Sequence, residues 1–111
     1  MTWGEMFFQV KGQAKNAPVT VKAGEVVKFV IKNIGQTMHE MHIGRKVNLK
    51  DEVYDEPLFT EGYDTLFLDK GQTAELVLII PNKPGEWELG CLHEGHYPAG
   101  MKAKLIIQPK S

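Results

Sequence analysis

A side-chain period of two, repeatedly interrupted by turn-forming residues, constrains this chain more than any other feature. Val27, Phe29 and Ile31 alternate with Lys28, Val30 and Lys32; Ala74, Leu76, Leu78 and Ile80 alternate with Glu75, Val77 and Ile79; Met101, Ala103, Leu105 and Ile107 share a face opposite Lys102 and Lys104. Alternation of this kind belongs to strands with one buried face. Ala23-Gly24, Ile34-Gly35-Gln36, Asp69-Lys70-Gly71 and Pro81 to Gly85 are the breaks between such runs. The pattern predicts strands at Met6–Val10, Val19–Lys22, Glu25–Asn33, Met38–Ile43 (stopping at Gly44), Thr65–Leu68, Thr73–Ile80, Glu86–Gly90 and Met101–Gln108. Seven or eight short strands with frequent turns predict an all-β antiparallel sandwich. Residues 44–64 stand apart as a long, irregular, acidic stretch, holding a short helix or a crossing between sheets. Without repeats or a linker, residues 1–111 are expected to form a single domain.

Charge and composition exclude several function classes. A net charge of −1 leaves no basic footprint for nucleic acid or for an acidic membrane surface. No apolar run is long enough to cross a bilayer, so no membrane insertion is expected. The N-terminal residues lack the charged, apolar and small-residue regions of a secretory signal, so if the protein is exported this sequence is expected to be its mature or trimmed form. A single cysteine cannot form an internal disulfide, which leaves Cys91 as a buried apolar side chain, a reactive thiol or a metal ligand.

The segment Gly90-Cys91-Leu92-His93-Glu94-Gly95-His96-Tyr97-Pro98-Ala99-Gly100-Met101 favours the metal reading. Cys91, His96 and Met101 put a thiolate, an imidazole and a thioether on one loop, and donors of that softness select copper. Cys91 follows one expected strand and Met101 opens the next, so the loop between them can fold around one ion. The best further donor is His39, which begins a strand elsewhere in the chain. Alternation puts His39, Met41 and Ile43 on one face and Glu40 and His42 on the other. A lone cysteine in a β-protein is usually a buried small side chain, but the spacing to His96 and Met101 weighs against that here. Met101 by itself would be a core residue.

With these residues in place, Val21-Lys22-Ala23-Gly24-Glu25, Asn33-Ile34-Gly35 running to His39-Glu40, and Gly90-Cys91 through His96 to Gly100-Met101 resemble the cupredoxin family of blue copper proteins. The Cys-x4-His-x4-Met spacing is most similar to rusticyanin and auracyanin; plastocyanin has a shorter gap between cysteine and histidine. The resemblance implies a Greek-key β-sandwich and one copper ion per chain, held by His39, Cys91 and His96 with Met101 axial. It implies a single-electron carrier and not an enzyme, monomeric and periplasmic or otherwise extracytoplasmic. Redox partner proteins would be met transiently through an apolar surface around His96, bordered by Tyr97, Pro98 and Ala99. One departure stands out: azurin and plastocyanin commonly have Asn after the first histidine, tying two ligand loops together, and this chain has Glu40. An acidic side chain facing the ion would favour its +2 state and lower the potential.

Rival readings attach to particular residues. Met38, Met41 and His42 near His39 would suit a second, looser copper site in a resistance or delivery protein; the simpler view has both methionines packed near the site and His42, like His93, at the surface. A zinc-protease reading fails, because His-Glu-x-x-His needs histidines one helical turn apart and this chain has His-Glu-Met-His in an extended stretch. One cysteine excludes a binuclear copper centre with two bridging thiolates, and the lack of paired His-x-His motifs excludes a self-contained multicopper oxidase, though not a domain of a larger redox complex. Asp51, Glu52, Asp55, Glu56, Glu61 and Asp64 form either a solvated loop or an acidic docking patch for a basic partner.

Overall fold

The computed structural model describes residues 1–59 and 65–110. Ten strands occur among them: β1 (Thr2–Gly4), β2 (Phe7–Gln9), β3 (Val19–Lys22), β4 (Val26–Asn33), β5 (His39–Asn48), β6 (Val53–Pro57), β7 (Thr65–Leu68), β8 (Thr73–Ile79), β9 (Gly85–Gly90) and β10 (Lys102–Gln108). One sheet runs β2-β1-β4-β8; the other runs β3-β10-β9-β5-β6, with β7 also paired to β5. The sandwich is therefore mixed and not purely antiparallel, because β1 joins β4 and β3 joins β10 in parallel. No described helix is long and apolar enough to cross a membrane.

The period-two faces form the core. Phe29 and Ile31 of β4 and Leu78 of β8 are buried in one sheet, while Met41, Ile43, Trp87, Leu89, Leu105 and Ile107 are buried in the other. Fully burying each large apolar side chain contributes roughly 1.5–3 kcal/mol. Trp3 is buried completely and meets the Phe8 ring edge-on at 5.9 Å, which anchors the short hairpin of β1 and β2 to the core.

Residues 44–57 differ from the expected irregular excursion. Strand β5 does not stop at Gly44 but continues to Asn48 and turns back as β6. A Cβ at Gly44 would lie 2.6 Å from Tyr54 Cβ and 2.7 Å from the Glu56 carbonyl oxygen. The glycine thus admits a close strand neighbour instead of breaking the strand. In that hairpin Glu56 pairs with Arg45 and with Lys46, so its charge is met locally, and Asp51 and Asp55 accept hydrogen bonds from the Asn48 amide. Glu61 and Asp64, the other end of the acidic stretch, lie outside the described residues.

Asn33, at the end of β4, fixes the approach to β5. Its amide nitrogen donates to the Thr37 and Leu68 carbonyls, both at 3.0 Å, and its side-chain oxygen accepts from the Gly35 N–H at 2.9 Å. The side chain is fully buried, so no water substitutes for it. Replacing Asn33→Ala leaves these groups without partners and should lower stability by about 2–3 kcal/mol. Denaturant unfolding of the variant beside the wild-type protein measures the loss, and a change within ~0.5 kcal/mol would refute the role.

Candidate metal centre

Two separate pieces of chain bring the donors together. His39 opens β5, where it pairs with Leu68 of β7. Cys91 immediately follows β9, and the loop from it returns to β10 through a ladder of main-chain bonds. His96 N–H donates to the His93 carbonyl at 2.9 Å, Gly100 N–H to Tyr97 at 2.9 Å, Met101 N–H to His96 at 3.1 Å and Cys91 N–H to Met101 at 3.1 Å. Gly95 and Gly100 hold positive φ angles of 83° and 103°, a conformation that a side chain would strain. Asn16 ties this loop to the β1–β2 region, its amide donating to the Gly100 carbonyl at 3.1 Å and to Met6 at 3.3 Å.

The outcome is a compact set of three buried donors. Nδ1 of His39 lies 3.2 Å from Nδ1 of His96; Cys91 Sγ lies 3.3 Å from His96 Nδ1 and 4.0 Å from His39 Nδ1. All three atoms fall within 4.8 Å of one another, and no other such group occurs among the described residues. Donors at ~2.0–2.3 Å from a single ion, arranged trigonally, stand roughly 3.5–3.8 Å apart, so this set fits one metal with little movement. A thiolate with two imidazoles is the donor chemistry that copper prefers. Met101 is completely buried at the end of the same loop, its main chain bonded to both Cys91 and His96.

Burial sets the protonation of these groups. It pushes the Cys91 thiol up to about 11, against the lowering effect of N–H groups from Glu40 and His93. A metal that takes the thiolate must therefore displace a proton at neutral pH. Burial also lowers the proton affinity of His39, with the Glu5 carboxylate opposing, and of His96, where His39 and His93 add to the effect.

The structure separates the neighbours of His39 as alternation requires, but not into solvent. Glu40 and His42 lie on the opposite face from His39 and are nevertheless both buried, so His42 is not a surface histidine. Their side chains pair at 2.7 Å, with the Thr65 hydroxyl 3.3 Å from the other ring nitrogen of His42 and the Phe67 ring edge-on to it. Glu40 contacts the cluster through its main chain, whose N–H lies 3.4 Å from Cys91 Sγ, while the negative charge of its carboxylate acts on Cys91 and His96 from the other face. Met41 is buried in the core and Met38 is half-buried, and alternation along β5 turns Met41 and His42 to opposite faces. His93 is half-buried with its ring 4.7 Å from that of His96.

Sequence reasoning missed Glu5. In the turn between β1 and β2, its carboxylate accepts from the Gln36 N–H at 2.7 Å, the Thr37 N–H at 3.0 Å and the Thr37 hydroxyl at 3.1 Å, and it approaches His39 Nε2 to 3.3 Å. Desolvation raises the Glu5 carboxyl, but these hydrogen bonds and the nearby imidazole outweigh it and hold the acid below the usual carboxylate range. No periodicity or motif links a residue in the first turn to His39.

Residues 3–111 match the family described as Multicopper oxidase, and the chain belongs to that family. Its fold is that of the cupredoxins: rusticyanin from Thiobacillus ferrooxidans superposes with a TM-score of 0.69 at 20% identity over 92% of this chain and 67% of that one. Auracyanin from Roseiflexus castenholzii gives 0.65 at 17% identity over 83% and 84%. Among sequence relatives, the copper-resistant cuproprotein CopI of Rubrivivax gelatinosus is 30% identical over 96 residues, covering 83% of this chain and 58% of its own length. CopI of Pseudomonas aeruginosa is 28% identical over 139 aligned positions, covering 96% and 73%. The chain thus spans little more than half of the Rubrivivax relative.

The lowered proton affinities of His39 and His96 have a consequence for the copper-free protein. As pH falls through the ordinary histidine value of 6.5, the unfolded chain takes up protons that the folded centre resists. Stability therefore decreases with falling pH in that range. Thermal unfolding of the copper-free protein should show a lower Tm at pH 5.5 than at pH 7.5, and a His39→Phe variant should lose part of that slope; an equal slope in both would contradict the assignment.

Proposed function

We propose that this chain is a mononuclear copper protein of the type 1 kind, in which one ion is held by Cys91 Sγ and Nδ1 of His39 and His96, with the Met101 thioether as a weak fourth ligand. The observation that carries this reading is the trio of buried donors within 4.8 Å, two of them held by the main-chain bonds of the 91–101 loop and the third by β5. Copper supplies one-electron cycling between its +2 and +1 states. The chain's own part is to keep the donors at nearly fixed positions, so that little rearrangement opposes a change of charge. The Glu40 N–H beside Cys91 Sγ stabilises the thiolate, and the buried apolar residues around it exclude water.

Such a centre suits a carrier of single electrons and not an enzyme. The exposed Pro98 and Ala99 follow the buried His96 in the same loop, and a small apolar contact there would allow quick release of a redox partner. A single domain working as a monomer outside the cytoplasm completes the proposal. A second reading, a role in copper resistance, is favoured by the CopI relatives and is compatible with the same centre. A second ion at Met38, Met41 and His42 is disfavoured, since Met41 is in the core and His42 is engaged by Glu40 on the other face.

Copper titration should end at one ion per chain with an intense visible thiolate-to-copper band. Cys91→Ser should abolish that band, while His42→Ala should leave the stoichiometry at one. Fast electron self-exchange together with slow loss to a modest chelator supports the carrier; a second ion, or rapid loss, supports copper handling. A band that survives Cys91→Ser would overturn the centre itself.

A further inference from the structure

We propose that Glu5 is the positioning residue of this centre: its carboxylate receives the Nε2–H of His39, holds the ring with Nδ1 toward Cys91 and His96, and by its negative charge favours the oxidised state of the bound ion. The inference rests on the copper reading above and adds to it a group from the far end of the chain.

Three observations converge on it. First, His39 Nδ1 faces Cys91 and His96, so when Nδ1 is a donor to the ion the ring proton sits on Nε2 and needs an acceptor. That nitrogen is fully buried and is the one buried side-chain nitrogen or oxygen among the described residues without a formed hydrogen bond. Second, the nearest anion is the Glu5 carboxylate, whose Oε1 lies 3.3 Å from this nitrogen, within hydrogen-bonding distance although the bond is not formed. Oxygen Oε1 is itself held by the Gln36 and Thr37 N–H groups and the Thr37 hydroxyl, so the acceptor is fixed before the histidine is considered. Third, Gly35 closes over the contact: a Cβ there would stand 2.7 Å from His39 Nε2 and 2.8 Å from each Glu5 carboxylate oxygen. Only the absence of a side chain at 35 leaves room for the pair.

A carboxylate behind a ligating imidazole fixes its tautomer and raises its basicity. Glu40, the other acid nearby, does not compete for this task, because its side chain is turned to His42. The carboxylate of Glu5 is thus the acid aimed at the imidazole edge of the centre, and its negative charge stabilises Cu(II) more than Cu(I).

The test uses Glu5→Gln, Glu5→Ala and Gly35→Ala in the full chain. In the copper-free protein at pH 7.5, imidazole nitrogen NMR should find wild-type His39 as the Nε2–H tautomer, and Glu5→Ala should show a mixture. In the copper-loaded protein, Glu5→Ala and Gly35→Ala should release copper to a chelator ~10–100-fold more readily. Glu5→Gln, which keeps an acceptor oxygen but not the charge, should retain most of that affinity and the wild-type Tm while its reduction potential rises. Unchanged tautomer, copper release and potential across the variants would overturn the proposal, and a Glu5→Gln potential equal to wild type would overturn its charge component. Should Glu5→Ala fail to fold, the tautomer and potential of Glu5→Gln decide. If the wild-type protein takes up no copper with a thiolate band, the copper reading fails, and the NMR result still judges the Glu5–His39 contact separately.

Discussion

Everything in this structure answers to one constraint: two imidazoles and a thiol must stay side by side, buried and largely without water. Burying polar groups without full hydrogen bonding costs on the order of 1–3 kcal/mol each in proteins. Here the donors face one another, and the cost is met elsewhere. The loop that carries Cys91 and His96 satisfies its own main chain turn by turn and closes on Met101, so the donors are placed by backbone bonds and not by their mutual attraction. A cluster built in this way is preorganised.

The sandwich supplies the second half of that arrangement. His39 comes from the start of β5, in the larger sheet, but the segment leading to it leaves β4 of the smaller sheet. Asn33 bonds that segment to the carbonyl at the end of β7, and Asn16 bonds the opposite loop to the β1–β2 region. The two pieces that carry the clustered His-Cys-His side chains are thus each pinned by a part-buried or buried amide side chain reaching across the fold. Core packing alone would fix the sheets and leave the mouth of the sandwich free to shift; these amides remove that freedom.

How legible this was in the sequence depended on whether a feature is periodic or long-range. Strands β4, β8 and β10 could be read almost to the residue because their inward positions, the buried Asn33 at the end of β4 apart, are apolar. The short β1 could not, since Thr2-Trp3-Gly4 is too brief to show a period, although Trp3 proves to be fully buried. Nor could β6, where exposed acidic positions mask an edge strand and Gly44 suggests a stop while serving as a contact. His39, Cys91 and His96 were legible as a group because their chemistry is rare and two of them share one short loop. Met101 is completely buried at the end of the same loop, as a core residue or an axial donor alike would be. Glu5 had no sequence signal, because its relation to His39 exists only once the β1–β2 turn is laid against residues 35–37.

Glu40 shows why a departure from a family pattern need not disturb a site. In azurin and plastocyanin an Asn commonly follows the first histidine and helps tie the ligand loops. Here the bond to the sulfur at that position comes from the main-chain N–H, which almost any residue supplies, and alternation carries the side chain to the opposite face. On that face the carboxylate finds His42 at 2.7 Å, and Phe67 and Thr65 of the adjoining β7 shield the pair. In this chain Asn33 and Asn16 tie the segments around the cluster, and neither neighbours a donor in sequence. An acid beside the first histidine is therefore accommodated by pairing with His42, because strand geometry, and not proximity in the chain, decides which side chains contact the His-Cys-His cluster; its charge reaches Cys91 and His96 only from a distance.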